Sequence, residues 1–76
     1  MELDKFIKNF ANQFDETDIA VFEAGTIFKD LEEWSSLTAL SIIAMIDNEY
    51  GVKIAGSDIK NASKIEDLYN IIAQRK

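Results

Sequence analysis

The sequence contains no cysteine and no histidine. Their absence excludes a disulfide framework, a thiolate nucleophile, an imidazole base and a zinc site built from the usual ligands. Most enzyme mechanisms need at least one of these groups, and no acid is set in a concave apolar site that would favour a hydrolase or isomerase using paired carboxylates. We therefore expect a protein that is not an enzyme and that holds no metal.

Long apolar runs and basic residues are also scarce. No stretch reaches the length of about eighteen apolar residues that a membrane span needs, and the N-terminus lacks the basic-then-apolar pattern of a signal peptide. Eight Lys and Arg residues stand against fourteen Asp and Glu, a formal net charge of −6. Because binding to a phosphate backbone needs a basic surface, we do not expect nucleic acid as a partner. We expect a cytoplasmic protein with no membrane span.

The negative charge is concentrated in one segment. Residues 15–33 hold seven acids and a single base, Lys29, whereas the rest of the chain holds seven acids and seven bases. Such a segment creates a local negative field that can steer a cationic partner and that weakens as salt is added.

The apolar pattern predicts a small all-α fold. The 76 residues, 47% of them hydrophobic, fit one domain that spans residues 1–76. Apolar spacings of three and four predict a first helix at about 3–14 and a strongly helical segment at 37–50, which Gly51 ends. Residues 57–60 form one helical turn around an apolar Ile59, and a last helix follows. The prediction is a helical bundle with three main helices and one short helix.

The connection from Asp15 to Ser35 is long for so small a domain. Loops of this length tend to be functional or partly helical, so we expect a short helical turn around 17–23. Scattered apolar residues are expected to anchor the connection across the core, and they are Ile19, Val21, Phe22, Ile27, Phe28 and Leu31.

Helix 37–50 has more apolar residues than one buried face needs. Its expected core stripe is Ala39, Ile42, Ile43, Ile46 and Tyr50, and the apolar residues left over are Leu37, Leu40, Ala44 and Met45. A helix that is apolar around most of its girth is either buried on several sides or keeps one face for a partner that binds and leaves.

The last helix carries a capping signal. Ser63 followed three residues later by Glu66 matches a capping box, with Ser63 as the N-cap residue. Arg75 and Lys76 at the other end favour the negative end of the helix dipole.

The segment Asp30-Leu31-Glu32-Glu33-Trp34-Ser35-Ser36-Leu37, with the helix and the Tyr50-Gly51 exit that follow it, resembles acyl carrier proteins and peptidyl carrier proteins. In that family an Asp-Ser-Leu tripeptide opens the second helix, and its serine receives a phosphopantetheine. Ser36 and Leu37 match the last two residues of the tripeptide, and Ser35 stands where the aspartate usually is. The resemblance covers nearly the whole chain.

The resemblance implies a small four-helix bundle of acyl-carrier type that holds 4′-phosphopantetheine covalently on Ser36. Such a monomeric phosphoprotein carries acyl or aminoacyl groups as thioesters in fatty acid, polyketide or nonribosomal peptide biosynthesis. Its expected partners are a phosphopantetheinyl transferase, loading enzymes and downstream biosynthetic enzymes. The implied partner face, completed by the acids before Ser36, consists of Trp34, Ser35, Leu37, Leu40, Ser41 and Ala44.

Elementary physics agrees with this interpretation and also leaves alternatives open. A serine at a helix start is exposed, and a phosphodiester on it would face free amide groups and the positive end of the helix dipole. Serine pairs before a helix are, however, far more often caps than modification sites, and in the carrier interpretation the cap role falls to Ser35. The main alternative is an unmodified module that binds a partner helix on the apolar face of helix 37–50.

Overall fold

Four α-helices form the fold in the computed structural model, which describes residues 2–75. They are α1 (Glu2–Ala11), α2 (Ser36–Tyr50), α3 (Gly56–Asn61) and α4 (Ile65–Arg75). Two single-turn 3₁₀ helices, Ile19–Val21 and Phe28–Asp30, lie in the α1–α2 connection. Within residues 2–75 there is no β-strand, and the prediction of an all-α fold with three longer helices and one short helix is confirmed.

Helix α1 contributes the aromatic side of the core. Phe6 and Phe10 are completely buried, and Phe14 is buried beyond the helix end. The regular helix stops at Ala11, three residues before the predicted end, because the chain tightens there into hydrogen bonds of the 3₁₀ type, such as the one from the amide of Phe14 to the carbonyl of Ala11. The tighter turn still brings the ring of Phe14 onto that of Phe10, with centroids 5.6 Å apart.

A single apolar cluster joins all four helices. Helix α1 packs against both α2 and α4, and α3 packs against α4. The buried members of the apolar cluster are Phe6, Phe10, Ala11, Phe14, Phe22, Phe28, Ile42, Met45, Ile46, Val52, Ile54, Ile59, Ala62, Ile65, Leu68 and Ile72. Ile59 is the buried residue of α3, as the sequence predicts.

The α1–α2 connection is held to the core by fewer residues than predicted. Phe22 and Phe28 are buried, and Phe22 lies 4.9 Å from Phe14 between ring centroids. The prediction was wrong for Ile19, Val21 and Ile27, which are all exposed. Because an aromatic ring buries more apolar area than an aliphatic side chain, Phe22 and Phe28 take the core positions of the connection, and these three aliphatic side chains stay at the surface.

The same connection supplies acceptors to the start of α4. The amide of Ile65 donates to the carbonyl of Thr26 at 3.2 Å, and the amide of Glu66 donates to the carbonyl of Ala24 at 3.1 Å. The first amides of a helix have no acceptor within the helix itself. Here the connecting loop provides two of the missing acceptors and is fixed in return.

The predicted capping box at Ser63 and Glu66 was wrong. Helix α4 begins at Ile65, so the third helical position is Asp67. The Asp67 carboxylate accepts from the amides of Ser63 and Lys64 at 3.0 and 2.9 Å. The sequence pattern alone favoured a cap at Ser63 with Glu66 three residues later. In the structure the amide of Glu66 donates to a carbonyl of the connecting loop, and the helix begins at Ile65 instead.

Arg75 pairs with another helix. Its guanidinium donates to both carboxylate oxygens of Asp58 at 2.7 and 2.8 Å, which ties the last turn of α4 to the first turn of α3. The predicted dipole role of Lys76 lies outside the described residues. Because the Arg75 guanidinium donates to it, the pKa of Asp58 is lowered.

The end of α2 is as predicted. Gly51 adopts a left-handed conformation with φ 66° and ψ 21°, and its amide donates to the carbonyl of Asp47 at 3.0 Å. Glycine pays no steric penalty in this conformation, which ends the helix. Val52 and Ile54 follow in an extended linker, with both side chains buried.

We expect Asp67→Ala to lower the free energy of unfolding by about 0.5–1 kcal/mol, a capping contribution reduced by solvent screening. Ser63→Ala, the matched control, should leave it nearly unchanged. The bonds from the amides of Lys64 and Ser63 lower the pKa of Asp67, with burial opposing them. The stabilisation is therefore present above about pH 4 and lost as the pH falls through the lower pKa of the folded state. Urea titrations at pH 7 and pH 3 measure both effects; an effect of Ser63→Ala alone would contradict this capping arrangement.

Candidate functional site

The first turn of α2 separates the roles of the two serines. Ser35 is the N-cap residue, with extended backbone angles, and its hydroxyl oxygen accepts from the amide of Thr38 at 3.3 Å. The cap role that the sequence analysis gave to Ser35 is therefore confirmed. Ser36 is the first helical residue and is exposed. Since Ser35 supplies the cap, the hydroxyl of Ser36 is free for another use.

Two backbone amides beside Ser36 lack acceptors in the described part of the chain. The carbonyl and hydroxyl oxygens of Ser35 accept from the amides of Ala39 and Thr38. The amides of Ser36 and Leu37 come earlier in the helix and have no such partner within residues 2–75. Free amides at the positive end of a helix dipole favour an anion. The site is thus suited to a phosphate on the hydroxyl of Ser36.

A small hydrogen-bond network fixes the chain just before Ser36. The hydroxyl of Thr38 donates to the carbonyl of Glu33 at 2.8 Å and lies 3.2 Å from the hydroxyl of Ser35. These bonds connect the first turn of α2 with the last residues of the connection. The turn that carries Ser36 therefore has a defined geometry although the residue itself is exposed.

Glu33 does not act as a free surface acid. Its carboxylate accepts from the amides of Asp15 at 3.0 Å and Glu16 at 2.8 Å, and from both the amide and the hydroxyl of Thr17. The hydroxyl of Thr17 is the main cause that lowers the pKa of Glu33; burial opposes it, and the three amides add to the lowering. Among the acids before Ser36 that are expected to complete the partner face, Glu33 therefore has carboxylate oxygens that already accept hydrogen bonds within the chain.

Trp34 lies between the core and the surface. Its half-buried ring meets the ring of Phe28 edge-on, with centroids 4.9 Å apart. This contact covers the end of the core at the start of α2, and only part of the indole remains accessible to a partner.

The remaining predicted partner-face residues lie on the outer side of α2. Leu37 and Leu40 are 77% and 62% exposed, and Ser41 and Ala44 are exposed as well. At 100° per residue, these four residues and Ser36 span about 140° of the helix circumference. They form one continuous strip, which we call the α2 outer strip: Ser36, Leu37, Leu40, Ser41 and Ala44.

The opposite side of α2 faces the core. Ile42 and Ile46 are completely buried, whereas Ala39, Ile43 and Tyr50 are half-buried and pack against the core. Met45 is buried too, as expected for a residue whose simplest role is packing. The apolar residues of α2 outside the predicted core stripe thus fall into two groups. Met45 is buried, and Leu37, Leu40 and Ala44 belong to the α2 outer strip.

A shallow acidic groove lies beside this region. It is lined by Glu16, Thr17, Val21, Asp30, Leu31, Glu32 and Glu33. Among its acids Glu16, Asp30 and Glu32 are exposed, so the negative field expected from residues 15–33 has carboxylates at the surface near the start of α2.

No group of three or more acidic side chains within the described residues is placed to hold a metal ion. Among the four described helices, none has the length and apolarity that crossing a membrane requires. When the chain is compared with models of protein families, with curated proteins and with solved structures, it matches none of them.

Proposed function

We propose that the chain is a carrier protein of acyl-carrier type, with 4′-phosphopantetheine attached to Ser36. The observation that carries the proposal is that the two serines at the start of α2 have different roles: Ser35 caps the helix, while Ser36 presents an exposed hydroxyl next to two amides that have no acceptor within residues 2–75. An exposed anion attached there gains from both amides and from the helix dipole.

The modification is a phosphoryl-type transfer from coenzyme A. The Ser36 oxygen attacks the phosphorus that bears the pantetheine, a new oxygen–phosphorus bond forms, and the pyrophosphate bond breaks to release adenosine 3′,5′-bisphosphate. The serine proton passes to a base on the transferase. The arm then supplies the thiol that forms a thioester with an acyl or aminoacyl group. A chain without cysteine is suited to this role, because the reactive sulfur belongs to the cofactor.

The fold supports the proposal at the level of architecture. An all-α chain with three longer helices and one short helix, and with a long connection before the second main helix, is what the resemblance implies. The four-helix bundle of acyl-carrier type, the single domain over residues 1–76, the monomeric state and the cytoplasmic location all belong to the proposal.

The partners in this proposal are a phosphopantetheinyl transferase and the loading and downstream enzymes of fatty acid, polyketide or nonribosomal peptide biosynthesis. They contact the α2 outer strip, the accessible part of Trp34 and the cap residue Ser35. The exposed acids Asp30 and Glu32 add electrostatic steering. Apart from its last turn, which holds Asp47 and Glu49, α2 has no acids. This favours a carrier dedicated to one pathway over a general fatty-acid carrier.

The α2 outer strip also favours a second candidate, an unmodified module that binds a partner helix. Two leucines that are more than half exposed, one turn apart, are the kind of anchors that helix-in-groove recognition uses. In this case Ser36 has no cofactor, and the strip alone is the functional surface.

The first test is modification by a broad-specificity phosphopantetheinyl transferase with coenzyme A, followed by intact-mass spectrometry. We expect the wild type and Ser35→Ala to gain one phosphopantetheine and Ser36→Ala to gain none, because only Ser36 has a free hydroxyl at the helix start. Ser35→Asp restores the usual family residue and controls for a transferase that requires it. Modification of Ser36→Ala would refute the site, and failure of both the wild type and Ser35→Asp would favour the unmodified module.

The second test separates the two sides of α2. Ile46→Ala should lower the free energy of unfolding by about 2–5 kcal/mol, because it opens a cavity in the core. Leu40→Ala should change it by about 0.5 kcal/mol or less, as surface substitutions do. It should instead slow phosphopantetheine transfer by about fivefold, the loss expected for an interface anchor worth about 1 kcal/mol.

Urea titration and transfer kinetics on the same two variants measure both quantities. Equal destabilisation by the two substitutions, with transfer unchanged in the folded fraction of Leu40→Ala, would show that the α2 outer strip is not a partner face.

A further inference from the structure

Glu33 contacts two separate parts of the chain at once. Its side chain accepts hydrogen bonds from three successive residues, 15 to 17, at the beginning of the α1–α2 connection. Its backbone carbonyl accepts from the hydroxyl of Thr38 in the first turn of α2. One residue therefore joins the beginning of the connection, its end and the helix that carries Ser36.

The contact closes the connection into a compact loop. Four hydrogen bonds to one carboxylate bring residues 15–17 to Glu33, although fifteen residues lie between Thr17 and Glu33 along the chain. Loops with closed ends of this kind hold a defined shape on a protein surface. Three further acids, Glu16, Asp30 and Glu32, line the same acidic groove. The amide and hydroxyl donors hold the Glu33 carboxylate in its place in that groove.

We propose that Glu33 is a latch that positions Ser36: it couples the order of residues 15–17 to the order of the first turn of α2. This inference rests on the proposed function only where it concerns transfer to Ser36. The coupling itself is a property of the fold. With the latch closed, the loop and the turn present one fixed surface to the modifying enzyme; with the latch open, both become mobile while the four helices remain packed.

Glu33→Gln opens the latch with little change in size, because a carboxamide has a single acceptor oxygen and its amino group faces donors. Glu32→Gln is the matched control: it removes the same charge from the neighbouring exposed residue. The first measurement is amide hydrogen exchange. We expect Glu33→Gln to accelerate exchange about tenfold or more at residues 15–17 and also at Thr38 and Ala39, with the amides of α4 unchanged. Glu32→Gln should leave all of these rates unchanged.

A second pair of variants tests the coupling from the other end. Thr38→Val removes the hydroxyl that reaches the carbonyl of Glu33, and Thr38→Ser keeps it. We expect Thr38→Val, but not Thr38→Ser, to accelerate exchange at residues 15–17. Unchanged rates at 15–17 in Thr38→Val, or acceleration confined to 15–17 in Glu33→Gln, would overturn the latch. Equal acceleration in all four helices would overturn it too, because it would indicate global destabilisation.

The third measurement is the rate of phosphopantetheine transfer at a temperature where all variants are folded. We expect kcat/KM for the carrier to fall about tenfold in Glu33→Gln, as misplacement of a reacting group predicts. It should stay near the wild-type value in Glu49→Gln, which removes the same charge from an exposed residue outside the acidic segment and the α2 outer strip. Equal rates in Glu33→Gln and wild type, despite faster exchange, would overturn the positioning of Ser36. If no transferase modifies the wild type, the proposed function fails instead, and hydrogen exchange alone decides the latch.

Discussion

The rest of the structure depends on the contacts that the ring of Phe10 makes with other aromatic rings. It touches four other rings, those of Phe6, Phe14, Phe22 and Phe28, at centroid distances of 5.5–6.2 Å. A chain of this size has neither disulfides nor a metal site among its described residues, so apolar burial must supply its stability. The rings from α1 and from the connection meet at Phe10, and Phe28 extends the contact to Trp34. The aromatic cluster therefore also fixes where the chain enters α2 and where Ser36 lies.

Much of this arrangement could be predicted from local sequence signals. Apolar spacing identified α1 and α2, Gly51 marked the end of α2, and Ile59 marked the short helix. A serine cap at the start of α2 followed from residue type and position, and the carrier resemblance assigned it to Ser35. Each of these features is decided by residues within one or two helical turns, which is the range over which periodicity and capping act.

The features that sequence reasoning missed depend on contacts between distant segments. Glu33 is indistinguishable from Glu32 by charge, and only the fold brings residues 15–17 to its carboxylate. The start of α4 is shifted because Ala24 and Thr26, from an early part of the chain, supply acceptors to the amides of Glu66 and Ile65. Ile19, Val21 and Ile27 are exposed while Phe22 and Phe28 are buried, and a list of apolar residues does not rank which of them reach the core. No local pattern contains this information.

We propose that Ser36 carries a phosphopantetheine in the living cell. The most direct measurement is the intact mass of the chain purified from the cells that naturally produce it, with the modified residue located by peptide sequencing. The account predicts a population heavier by one phosphopantetheine, part of it further loaded with an acyl or aminoacyl group, and places the added mass on Ser36. A chain whose mass is that of the sequence alone, under growth conditions where its partner enzymes are present, would contradict the account.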